Sequence, residues 1–169
     1  MDSQQFQVGD KLVYPNHGIA ELEHVGGSPI MPDGIECYHL RLLCNNSRLV
    51  IPLVNKNRCG LRRPYQKEDV APLFRILEAG CVRPADEWRG RYRENLNLMA
   101  TGRLEDVAEV LKDLTHLQQR KSLTFRERTM FARAKYLLVS EMAWAMSIPE
   151  PELEKLVVLC IERSLNQPS

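Results

Sequence analysis

The chain has 169 residues, 44% of them hydrophobic and 27% charged, with a formal net charge of +1. This is the composition of a folded protein rather than a disordered one, and the length suits one ordinary domain or two small ones. It excludes a strong overall electrostatic pull on nucleic acid, and no stretch approaches the roughly 20 apolar residues that a membrane span needs.

The first third reads as short strands separated by turn formers. After a turn at Val8-Gly9-Asp10, Lys11 to Tyr14 predicts a strand that stops at Pro15. A second turn, Pro15-Asn16-His17-Gly18, leads into Ile19 to Val25, which alternates apolar and polar residues as a half-buried strand should. The Gly- and Pro-rich run from Gly26 to Gly34 is a longer loop. Glu36 to Cys44 alternates again, Asn45-Asn46 marks a hairpin turn, and Ser47 to Pro52 returns as a strand. A short strand near Gly60-Leu61-Arg62 would close the set. Four or five strands at this spacing predict a small SH3-like or Tudor-like barrel.

Beyond Pro64 the apolar period changes from two to 3.6. Val70, Leu73, Phe74 and Leu77 form one stripe, stopped by Gly80. Asp86 is placed to cap a helix carrying Trp88, Tyr92, Leu96 and Met99 on one face, ended by Gly102. Leu104, Val107, Ala108, Leu111 and Leu114 mark the next helix. Thr124 to Glu127 reads as a capping box opening a long helix, with Met130, Phe131, Ala134, Leu137, Leu138, Met142 and Ala145 inward. Pro149 or Pro151 opens a last helix facing the bundle through Leu153, Leu156, Val157, Cys160 and Ile161. The fold class predicted is α+β: a small β-barrel followed by a compact all-α domain of about five helices. The boundary expected is at residues 1–66 and 67–169.

Signals of catalysis are missing from this pattern. The four histidines stand singly, and no phosphate-binding loop or nucleophile elbow occurs. The five cysteines at 37, 44, 59, 81 and 160 contain no Cys-x-x-Cys pair, so small buried thiols in a reducing cytoplasm are expected rather than disulfides or zinc. The N-terminus has neither the basic start nor the apolar core of a signal peptide. The chain is therefore expected to be no enzyme, to need no cofactor or metal, and to be cytoplasmic.

Charge is distributed unevenly. From Cys37 to Lys67 there is no Asp or Glu, while Arg41, Arg48, Lys56, Arg58, Arg62, Arg63 and Lys67 all fall there. A second cluster, Arg83, Arg89, Arg91 and Arg93, surrounds Trp88. A Trp on a helical stripe is most simply a core residue. At a helix start beside Arg side chains it could instead act as an apolar wedge in a DNA minor groove, with phosphates held on either side.

The string Val8-Gly9-Asp10-x-x-Val13-Tyr14-Pro15-x-x-Gly18 resembles the opening of the CarD/CdnL family of bacterial RNA-polymerase-binding transcription regulators. Glu87-Trp88-x-x-Arg91-Tyr92-Arg93-x-Asn95-Leu96 is similar to that family's DNA-facing helix. Val107 to Leu114 and Ala134 to Glu141 match its C-terminal helices, so the resemblance covers nearly the whole chain in order. It implies a Tudor-like barrel that docks on the RNA polymerase β subunit through an exposed strand edge, here Arg48, Val50, Ile51 and Pro52. It implies a helical domain on promoter DNA at the upstream edge of the melted region, with Trp88 as wedge and Arg89, Arg91 and Arg93 beside it. The expected protein is a nucleoid-associated regulator, monomeric when free, that stabilises the open promoter complex. Two other readings stay open: an adaptor or paralogue whose barrel binds a different protein because its strand carries Val50, and a general nucleic-acid-binding protein.

Overall fold

The computed structural model describes residues 5–80 and 88–167; of Trp88 it describes the backbone only. The chain forms two compact units, Met1–Pro64 and Tyr65–Ser169.

The first unit is an antiparallel sheet in the order β1 (Lys11–Tyr14), β2 (Gly18–Gly26), β3 (Cys37–Leu42) and β4 (Arg48–Pro52). Alternate residues of each strand point inward, and Phe6, Leu12, Ala20, Leu22, Tyr38, Leu40, Leu42 and Ile51 make its core. The alternation of β2 is interrupted by a register shift between Leu22 and His24. Such a bulge bends and twists the strand, and it leaves Glu23 and His24 both on the surface. The β3–β4 turn is longer than the Asn45-Asn46 hairpin expected. It is closed by a bond from Leu42 N to Ser47 O, with Asn46 in the left-handed region at φ 58°. The fifth strand expected at residues 60–62 shrinks to a single bridge, Val13 with Arg62. Pro64 has no N–H to extend the ladder, and Gly60 turns the chain at φ 68°, where an added Cβ would lie 3.1 Å from the Pro15 ring.

Among the described residues the second unit has five α-helices: α1 (Val70–Glu78), α2 (Trp88–Ala100), α3 (Leu104–Arg120), α4 (Phe125–Met146) and α5 (Glu150–Leu165). The mixed α+β class expected from the sequence is the one found. Helix α3 is central, packing against the other four, and it is buried around most of its circumference. The Thr124 capping box forms as predicted: Thr124 Oγ1 accepts from Glu127 N at 3.2 Å, and Glu127 Oε2 accepts from Thr124 N at 2.9 Å. One residue of each of two expected stripes faces solvent instead, while Met99, Leu153, Val157, Cys160 and Ile161 are buried as expected. On α2 the buried positions are Asn95 and Met99, and Leu96 is exposed; on α5 Leu156 is exposed while Leu153, Val157, Cys160, Ile161 and Ser164 are buried. Cys37 and Cys160 are buried thiols, Cys59 is half-buried and Cys44 is exposed. Among the described residues no helix is long and apolar enough to cross a membrane.

Candidate functional site

Among the described residues strand β4 is an edge of the barrel sheet: its ladder runs to β3 in the register Arg41–Arg48, His39–Val50 and Cys37–Pro52. Antiparallel ladders alternate hydrogen-bonded and non-bonded pairs. Bonds from Leu42 N to Ser47 O (2.8 Å) and from Leu53 N to Glu36 O (2.9 Å) fix which is which. Counting inward by twos, Leu49 and Ile51 turn their backbone groups toward β3. Arg48, Val50 and Pro52 therefore turn theirs toward the open side. Pro52 contributes only a carbonyl, which is why a proline is tolerated there.

The sequence-predicted docking residues consequently divide. Arg48 is 80% exposed at its side chain, and Val50 and Pro52 are half-buried on the sheet face away from the core. Ile51 is the correction: it sits in the barrel core, so it holds the strand in place and presents no side chain to a partner. A pocket of about 300 Å³ lies beside the edge, lined by Glu23, His24, His39, Leu40, Arg48, Leu49 and Val50. An ion-pair network stiffens the face next to it. Arg41 donates to Glu23 at 2.7 Å and to Glu21 at 3.0 Å, Lys11 pairs with Glu21, and Arg48 lies 3.6 Å from Glu23.

In the helical unit, α2 carries the arginines singled out in the sequence. Arg89 and Arg93 are exposed on its outer surface. Arg91 is not: its Nη2 donates to Glu127 Oε1 at 2.7 Å, with 11% and 2% of the two side chains exposed. That placement corrects its expected role as a phosphate partner. The same Glu127 carboxylate caps α4, so one buried group fixes both the start of α4 and the seat of α2. Burial pushes the Glu127 carboxyl up, but bonds from Arg91 and Thr124 outweigh it and leave it below the ordinary range. Arg83 and Asp86 lie outside the described residues, as does the Trp88 side chain, so its exposure is not part of this geometry.

Sequence reasoning missed a neighbour of this surface. Phe125, the first residue of α4, is 76% exposed, and the Arg126 guanidinium lies 6.0 Å from the centre of the Tyr92 ring on α2. Arg126 and Arg128 are exposed as well. The signal available in the sequence is an aromatic residue directly after the capping Thr124, at a position of the first helical turn. Among the described residues no three His, Cys, Asp or Glu side chains converge to hold a metal.

The first unit thus carries an open strand edge and the second an arginine-bearing helix. Comparison with known families places the chain further. Residues 6–65 match the CarD-like/TRCF RID domain and residues 72–158 match the CarD C-terminal domain. The chain belongs to the CarD family, and membership supports a transcription-regulator role and an interaction with RNA polymerase. A protein of Bacillus subtilis (strain 168) titled "Putative transcription factor YdeB" is 26% identical over 149 residues, which is 88% of this chain and 97% of the relative.

Proposed function

We propose that this protein docks on the β subunit of RNA polymerase through the open edge of β4 and steadies promoter DNA at the upstream edge of the melted region through α2. The observation that carries the reading is the open backbone edge at Arg48 and Val50 within the segment that matches the polymerase-binding family domain. Strand addition recruits an extended partner through backbone bonds and leaves specificity to side chains. On the DNA side, Arg89 and Arg93 hold phosphates, Trp88 wedges a base step, and Phe125 with Arg126 widens the contact. Arg91 acts as a strut beneath them.

The energetics suit a tethered binder. A few phosphate contacts on a protein of net charge +1 give weak, salt-sensitive binding alone. Held on polymerase, the same helix meets DNA at an effective concentration of order millimolar. A preference for the melted promoter of about 1–3 kcal/mol would shift the open-to-closed ratio by roughly 5- to 150-fold, with no chemistry required. The test is open-complex lifetime with the full chain. Trp88→Ala is expected to keep polymerase binding and to shorten that lifetime several-fold. A Trp88→Ala protein that unfolds would mark the residue as core, and an unchanged lifetime would remove the wedge.

A further inference from the structure

Helix α5 buries Leu153, Val157, Cys160, Ile161 and Ser164 and carries a second stripe outside them. Glu152, Leu156, Leu159 and Arg163 follow one another at spacings of four, three and four, which lines side chains up along one face of a helix. At about 100° per residue, this line lies about 110° around the helix from the centre of the buried face. All four residues are exposed, the two leucines by 41% and 49%. Lys155 and Glu162 stand beside the line, both on the flank away from the buried face, and both are exposed.

The line is symmetric in its chemistry. Glu152 precedes Leu156 by four residues and Arg163 follows Leu159 by four, so an acid and a base stand equally far from an apolar centre. A two-fold axis through that centre sets Leu156 against the partner's Leu159 and Glu152 against the partner's Arg163, each contact occurring twice. Antiparallel helices related in this way face each other through like flanks, which brings Lys155 within reach of the partner's Glu162. A parallel pairing would instead oppose Glu152 to the partner's Glu152 and Arg163 to the partner's Arg163, and like charges repel. Arg163 also donates to Glu78 on α1 at 2.8 Å, with 69% and 38% of the two side chains exposed. An exposed pair of this kind holds weakly, and a guanidinium has five N–H groups, enough to serve both carboxylates. At a net charge of +1, two copies meet little general repulsion.

We infer that a second copy of this chain covers the outer stripe of α5, in an antiparallel α5–α5 pairing centred between Leu156 and Leu159. The pairing uses no residue of β4 or α2, so it stands apart from the surfaces proposed for polymerase and DNA. A single helix pair buries less than the roughly 1,600 Å² of a standard interface, so association is reversible, with a Kd on the order of 100 μM. The monomer expected from the sequence is then the dilute form.

The experiment is sedimentation equilibrium of the full chain from about 10 to 400 μM, over which the average mass is expected to climb from one chain toward two. Leu159→Glu is expected to weaken the dimer at least about tenfold, because the change falls at both copies of the apolar contact. Lys155→Glu and Glu162→Lys are each expected to weaken it about fivefold, and the double variant to return within about twofold of wild type. All three positions are exposed, so the variants keep the fold, which circular dichroism checks. A wild-type chain that stays monomeric at every concentration would overturn the inference. So would a dimer indifferent to the two charge reversals, because it would be joined through another surface.

Discussion

Arg91 and Glu127 meet at 2.7 Å, nearly hidden from solvent, and neither could be replaced without disturbing two helices. Removing one partner of a buried pair leaves the other desolvated, which typically costs about 3–5 kcal/mol. Arg91→Ala is thus expected to lower stability by about 3 kcal/mol at pH 7, measured by urea unfolding, before any effect on DNA is considered. The Glu127 carboxyl is held below the ordinary glutamate value of about 4.3, so its contribution is present above that pH and lost as pH falls through the depressed folded value. Glu127→Gln should lower stability at pH 7 and flatten the acid limb of the stability profile. A second buried group titrates nearer neutrality. His116 Nε2 lies 2.8 Å from Ser164 Oγ, which itself donates to Ile161 O, so the imidazole donates and the hydroxyl accepts. Burial, helped by Lys112 and Arg120, pushes His116 below its usual range. The unfolded chain then binds the extra proton first, so stability falls as pH drops below about 6.5 and levels off below the folded value. Replacing His116 with Gln should remove that slope between pH 7 and 5 in urea titrations; a slope that persists would assign it elsewhere.

At the scale of elements, helix ends in this protein are finished by distant side chains as well as by local ones. The end of α1 is an example. Gly80 was expected to stop the helix, but Ala79 turns to an extended conformation first. The side chain of Gln167, beyond α5, accepts from Gly80 N at 3.1 Å and donates to Glu78 O at 3.0 Å. A Cβ at residue 80 would come within 2.9 Å of Gln167 Cβ and Oε1, so the glycine is required by close approach. Gly80→Ala is expected to cost about 1 kcal/mol, and less in a Gln167→Gly background, which removes both the Cβ and the Oε1 that a residue-80 Cβ would meet. The two losses should therefore be non-additive in a double-mutant cycle read by thermal melts. Strand β4 shows the complementary case of an element left unfinished: Ile51 anchors it from below, while Arg48 and Val50 offer backbone groups that no described residue takes. Natural sheets usually blunt such edges with bulges, charges or covering segments. Here one arginine and one proline are the only blunting devices on the strand, which fits an edge kept for a partner.

At the scale of the whole molecule, the proposed function assigns DNA and polymerase to separate surfaces, one on each unit, and depends on both being occupied together. Binding of the free chain to a promoter duplex is expected to be weak and to weaken linearly in log–log plots against salt. Arg93→Ala should reduce the slope by about 0.9, one phosphate contact, in fluorescence anisotropy titrations. Duplex affinity without polymerase equal to that with it would favour a general nucleic-acid binder.

Much of this architecture was legible in the amino-acid order. The change from a period of two to one of 3.6 near Pro64, the Gly and Pro turns, and the Thr124 capping box mark where strands and helices form, because those signals are local. The family, too, was legible, since its motifs run in order along nearly the whole chain. Tertiary structure alone decided which residues of each stripe are covered. On α2, Leu96 faces solvent while Asn95 is buried and Arg91 meets Glu127, because successive residues differ by only about 100° and the packing helices choose among them. It likewise decided that Ile51 belongs to the core while Val50 lines the open edge. Alternation says that two neighbours point opposite ways; only the rest of the barrel says which way is in.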